Sequence, residues 1–95
     1  MLKPIKFEVK TKEVGANFDL RVQNKRTEQE YVLTSNPETL MLEGGDVHVY
    51  LLRVTGKEKT KFTLTIENAT QARTPVTITI PEGKNSNVVN DIFTA

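Results

Sequence analysis

The groups able to do chemistry in this chain are few and far apart. His48 is the only histidine, set between Val47 and Val49, and there is no cysteine. Hydroxyl nucleophiles need a base within hydrogen-bond reach and a carboxylate to orient that base. Ser35 and Ser86 would have to meet His48, and neither lies on a sharp nucleophile turn. The histidine therefore reads as a packed or surface residue rather than a catalytic one. Without cysteine there is no disulfide, no thiolate chemistry and no cysteine-ligated metal. Zinc takes three or four histidine, cysteine or carboxylate ligands, which one histidine does not begin to supply.

The carboxylates and amides are no better placed for chemistry. Glu43 and Asp46 flank Gly44-Gly45, and Asn85, Asn87, Asn90 and Asp91 form an oxygen-rich stretch near the end of the chain. Calcium takes six to eight oxygens, usually with several carboxylates, so both stretches are too thin. Turn chemistry accounts for them, because asparagine and aspartate bond their own backbone. The five glycines are scattered, and none forms a phosphate-cradling loop. Asn68-Ala69-Thr70 matches an N-glycosylation acceptor, which matters only in a secretory setting. The reading is a non-enzyme with no catalytic residues, no metal site and no cofactor.

Charge narrows the partners. Thirteen basic residues against twelve acidic ones leave a net charge of +1. A nucleic-acid binder needs a concentrated basic face, so none is expected as a partner. The hairpin "TGKEKTK" gathers Lys57, Lys59 and Lys61 around Glu58. It could touch an acidic partner, although lysines near sheet edges also discourage unwanted pairing. No apolar run is long enough to cross a membrane as a helix, and "MLKPIKFEVK" holds no signal-peptide core. With no cysteine, a cytoplasmic or virion setting is expected over a secreted one.

These side chains must be carried by strands, because the dominant period is two. Ile5, Phe7 and Val9 alternate with Lys6, Glu8 and Lys10, and Phe18, Leu20 and Val22 alternate with polar residues. Such a pattern predicts strands with one buried and one wet face. Further strands are expected at Tyr31–Leu33, Leu40–Leu42, 61–67, 75–80 and 87–93. Residues 46–54, "DVHVYLLRV", are apolar on both faces, which predicts a central strand or one beneath a covering segment. Turns fall at Gly15, Asn24–Thr27, Asn36-Pro37, Gly44-Gly45 and Gly56. The expectation is one all-β domain over residues 1–95: a single antiparallel β-sandwich of seven or eight short strands, frayed at 1–4 and 94–95.

The stretch "LMLEGGDVHVYLLRV" resembles the leucine, glycine turn and following strand of immunoglobulin-like or fibronectin-type sandwich domains. That resemblance implies the sandwich architecture and no activity. The cysteine pair and core tryptophan of true immunoglobulin domains are absent.

Within such a sandwich the most useful surface is a threonine face. Thr63 and Thr65, and then Thr77 and Thr79, alternate with aliphatic or aromatic residues. Threonine suits an exposed pleated face, so the plain reading is the wet side of a sheet. The functional reading is a mildly apolar, uncharged patch that docks on another protein, since interface centres are poor in charge. Met41, Tyr50 and Phe93 either add to that patch or complete the core. The segment "NVVNDIFTA" could add a strand to a neighbour's edge and bury Phe93 there. The leading expectation is a structural interaction module, an accessory or decoration protein of an assembly such as a bacteriophage capsid, binding a protein partner or itself. The alternatives are a carbohydrate or cell-surface recognition domain, and an inhibitor presenting loops 34–38, 55–60 and 68–74. A small-molecule ligand is not expected.

Overall fold

The alternation read in the sequence sorts side chains between two stacked sheets. The computed structural model describes residues 1–95 as nine strands and no helix: β1 (Leu2–Thr11), β2 (Asn17–Asn24), β3 (Glu30–Val32), β4 (Glu38–Glu43), β5 (Val47–Thr55), β6 (Lys61–Glu67), β7 (Gln71–Ala72), β8 (Val76–Thr79) and β9 (Ser86–Thr94). Four strands make one sheet in the order β4-β1-β6-β8, and five make the other in the order β3-β2-β5-β9-β7. Every pairing is antiparallel. The all-β sandwich is as expected, with nine strands rather than seven or eight. The extra one is β7, two residues long, which pairs Gln71 with Thr94 and Ala72 with Phe93. A pair so short has no period to detect.

The core lies between the sheets. Ile5, Phe7 and Val9 from β1 and Phe62, Leu64 and Ile66 from β6 face Leu20 and Val22 from β2 and Tyr50, Leu52 and Val54 from β5. Each fully buried side chain of this size contributes roughly 1.5–3 kcal/mol. Phe7 and Phe93 join the two layers edge to face, with ring centroids 5.7 Å apart.

The chain ends are not frayed, contrary to expectation. Leu2 pairs with Glu43, and the Ala95 side chain is fully buried. Both ends are tied to one turn. The Gly44 N–H donates to the Met1 carbonyl at 2.8 Å, the Gly45 N–H to the Ala95 carbonyl at 2.8 Å, and the Ala95 N–H to the Asp46 carbonyl at 3.0 Å. Glycine suits both positions. A Cβ on Gly44 would sit 3.2 Å from the Met1 oxygen, and Gly45 has φ +87°, in the left-handed region.

Candidate functional site

The threonine face is a real face, but it is a charged one. Thr63 and Thr65 are half-buried on the outside of the four-stranded sheet, and Thr77 and Thr79 are exposed there. Pairing sets Lys10, Thr63 and Thr77 in one row, Glu8 beside Thr65, and Lys61 beside Thr79. Lysine and glutamate thus break the uncharged patch expected from β6 and β8 alone. The neighbouring strand was invisible in the local pattern. Met41 is half exposed on β4, opposite Pro4, at the far end of β1 from Lys10. It is not part of the threonine cluster.

Tyr50 and Phe93 are corrected outright as surface residues: they are 1% and 2% exposed. The phase of β5 settles which of its two apolar faces is inside. His48, Tyr50, Leu52 and Val54 point into the core, and Val47, Val49, Leu51 and Arg53 point out. Phe93 sits in this molecule's own core because β9 pairs with β5 along its whole length, from Val47↔Thr94 to Thr55↔Ser86. It is not free to enter a neighbour.

The polar groups on the inner face of β5 have a structural role. His48 is fully buried and stacks on Phe93, centroids 5.2 Å apart. Its Nδ1 lies 3.0 Å from the Asp46 carbonyl, while its Nε2 meets no protein partner. Burial disfavours the charged ring and pushes its pKa down. The Tyr50 hydroxyl is likewise buried without a protein partner, and burial pushes its pKa up. No serine or carboxylate side chain is bonded to His48, so no triad is assembled. No group of three or more histidine, cysteine or acidic side chains is placed to hold a metal.

Asp46 works beside the turn that ties the termini. Its Oδ2 accepts from Arg26 Nη2 at 2.7 Å and from Asn24 Nδ2 at 2.9 Å. The Arg26 guanidinium, then the Asn24 amide, holds the Asp46 carboxyl down at about 2. Asn24 Oδ1 in turn accepts from the Arg26 and Thr27 N–H groups. This network anchors the β2–β3 connection to the β4–β5 turn. Asn24 and Asp46 therefore act as turn chemistry.

The face missed by sequence reasoning is the outside of the five-stranded sheet. Val47, Leu51, Val88, Ile92 and Val32 are all substantially exposed there. The rows run Gln23–Val49–Ile92 and Arg21–Leu51–Asn90, with Thr94 beside Val47. From Val47 to Leu51 on β5 and from Asn90 to Thr94 on β9, no outward side chain is charged. Charge closes in on two sides: Arg21, paired with Asp19 at 3.1 Å and with Glu30 at 3.6 Å, stands on β2 directly beside Leu51, and Arg53 follows Leu51 on β5 between Asp19 and Val88. An apolar centre with a charged rim is the anatomy of a protein interface. The signal was present in "VHVYLL", apolar on both faces. β5 is indeed central, and one of its apolar faces lies under no other element.

No family model, curated protein or solved structure matches this chain.

Proposed function

We propose that this protein is a non-catalytic interaction module that self-associates through the outer face of its five-stranded sheet, as an accessory component of a larger protein assembly such as a capsid shell. The observation that carries the proposal is the uncovered apolar stripe of Val47, Val49, Leu51 and Ile92 on the two central strands of the sheet, with Val88 exposed beyond it in the row of Arg53. Monomeric proteins rarely leave an apolar patch of more than a few hundred Å² open unless it is used. The occupant best suited to it is a second copy. Strands of eight, nine and nine residues flanked by edge strands of three and two, at ~3.4 Å per residue and ~4.8 Å spacing, give a face on the order of 500 Å², the scale of a small, weak interface. Standard complexes bury ~800 Å² per partner, and sheets stack face to face readily.

Two other readings gain nothing. A sugar site wants an exposed aromatic platform, and the exposed large apolar side chains are all aliphatic. An inhibitor wants projecting loops. None of the loops 34–38, 55–60 and 68–74 carries a large exposed apolar side chain to anchor in an enzyme cleft.

Sedimentation equilibrium across a wide concentration range tests the proposal. A dimer is expected for the native chain, a monomer for Leu51→Glu, and a dimer for Thr77→Glu on the opposite sheet. A monomer at every concentration, or a dimer indifferent to Leu51→Glu, overturns it.

A further inference from the structure

The largest concavity lies elsewhere, and it is basic. A groove of about 900 Å³ opens where β1 ends beside the β5–β6 hairpin, lined by Lys10, Lys12, Lys59 and Lys61 among Glu8, Glu13, Thr11, Asn36, Thr60 and Thr63. Its volume is on the scale of a binding site, but it has only one hydrophobic lining residue. Its charges do not cancel. Glu13 is engaged by Lys57 from outside the lining at 3.6 Å, and Glu8 by Lys10 at 3.9 Å. Lys12, Lys59 and Lys61 have no carboxylate within ion-pair distance. The groove lining itself holds four lysines against two glutamates.

The groove also offers backbone. β4 begins at Glu38, opposite Phe7, so β1 runs on past its neighbour. At Val9 the missing strand is imitated by a side chain: Asn36 Oδ1 accepts from the Val9 N–H at 2.9 Å, and Asn36 Nδ2 donates to the Val9 carbonyl at 2.7 Å. Antiparallel strands turn every second peptide to the same side. The Thr11 peptide therefore faces the same edge, past the point where Asn36 closes it. One residue of an extended polypeptide meets the Thr11 N–H and C=O together, in the antiparallel geometry the edge already uses at Val9.

We propose that this groove binds an extended acidic peptide segment, which pairs its backbone with the β4-side edge of β1 at Thr11 and sets a carboxylate against Lys12, with Lys59 and Lys61 across β1 on the β6 side adding to the positive field. The site is independent of the apolar face of the other sheet, and either proposal can fail without the other.

The test uses the whole protein and a fluorescein-labelled octapeptide of alternating glutamate and valine, read by anisotropy, with amide chemical shifts to locate contact. Saturable binding is expected, with perturbed Thr11 and Lys12 amides. Binding should weaken at least tenfold in Lys12→Gln/Lys61→Gln, in high salt, and when alternate peptide nitrogens are methylated. Leu51→Glu should bind as the native chain does. No binding at about 1 mM peptide, equal binding of a lysine–valine peptide, or indifference to peptide N-methylation overturns the proposal. So does a heparin hexasaccharide or an oligodeoxynucleotide that occupies the groove more tightly than the peptide.

Discussion

Replacing Tyr50 by phenylalanine should make the protein more stable. The hydroxyl sits at the core face of β5, in a residue 1% exposed, and no protein group bonds it. Leaving a buried hydroxyl unpaired costs about 1–3 kcal/mol relative to its hydration in the unfolded chain. Phenylalanine keeps the ring and all its packing and gives up only the oxygen. The void left is one atom in size, roughly 20 Å³, which at about 24 cal/mol per Å³ costs about 0.5 kcal/mol. The net gain should therefore be about 1 kcal/mol, or about 4–8 °C in Tm for a domain of this length. Urea denaturation followed by far-UV circular dichroism at neutral pH measures it, with a thermal melt as a second reading. A Tyr50→Phe protein that is less stable by 1 kcal/mol or more refutes the reasoning, because the hydroxyl would then have a partner in solution. Tyr50→Leu separates ring from hydroxyl: it should lose stability whatever the hydroxyl does.

Two further predictions concern acid and the turn network. The pKa of His48 is lowered in the folded state, so the unfolded chain binds the extra proton. Stability should be level above about pH 6.5 and fall as the pH drops below it, and this step should vanish in His48→Leu. Asp46 is lowered from 3.8 to about 2, so its contribution is intact above pH 4 and lost as the pH falls towards 2, in both proteins. Urea midpoints taken from pH 8 to pH 2 resolve the two windows. Asn24→Ala should cost about 1–3 kcal/mol, because it removes one donor to Asp46 and one acceptor shared by the Arg26 and Thr27 N–H groups. A loss below 0.5 kcal/mol in the same denaturation assay would show that the network carries nothing.

The strands were legible wherever one face carries charge. β1 has Lys6, Glu8 and Lys10 against Ile5, Phe7 and Val9, and only one orientation of that strand is tolerable. β5 was readable too, by one residue. Arg53 shares its face with Val47, Val49 and Leu51, and an unpaired arginine does not go into a core. That alone puts His48 and Tyr50 inside and the apolar row outside. β9 offers no such guide. Asp91 would argue that its own row faces water, yet that row also holds Phe93 and Val89 and packs inward. The structure accommodates Asp91 at the sheet margin, where Arg73 meets it at 3.5 Å. Lys61 was visible on β6 itself, but Glu8 and Lys10, which complete the change of the threonine face into a mixed one, came from β1, more than 50 residues earlier in the chain. A local pattern cannot report a cross-strand neighbour.

The two proposed surfaces gain meaning from where they lie. The apolar stripe is on the outside of the five-stranded sheet, and the groove is formed by β1 and β6 of the other sheet with the hairpin between β5 and β6. A dimer that buries the stripe leaves both grooves open, on opposite sides of the pair. Each groove alone draws on a few lysines and a short run of backbone, a combination suited to weak binding. Two grooves held on one rigid body change that arithmetic. Where acidic segments repeat at matching spacing, the second binds at an effective concentration near the millimolar range. An assembly built from many copies of one protein presents such repeats. Tethering two octapeptides should therefore raise affinity for the native chain by tenfold or more and leave Leu51→Glu, held as a monomer, unchanged. Equal gains in both would detach the groove from the sheet face and remove avidity from the account.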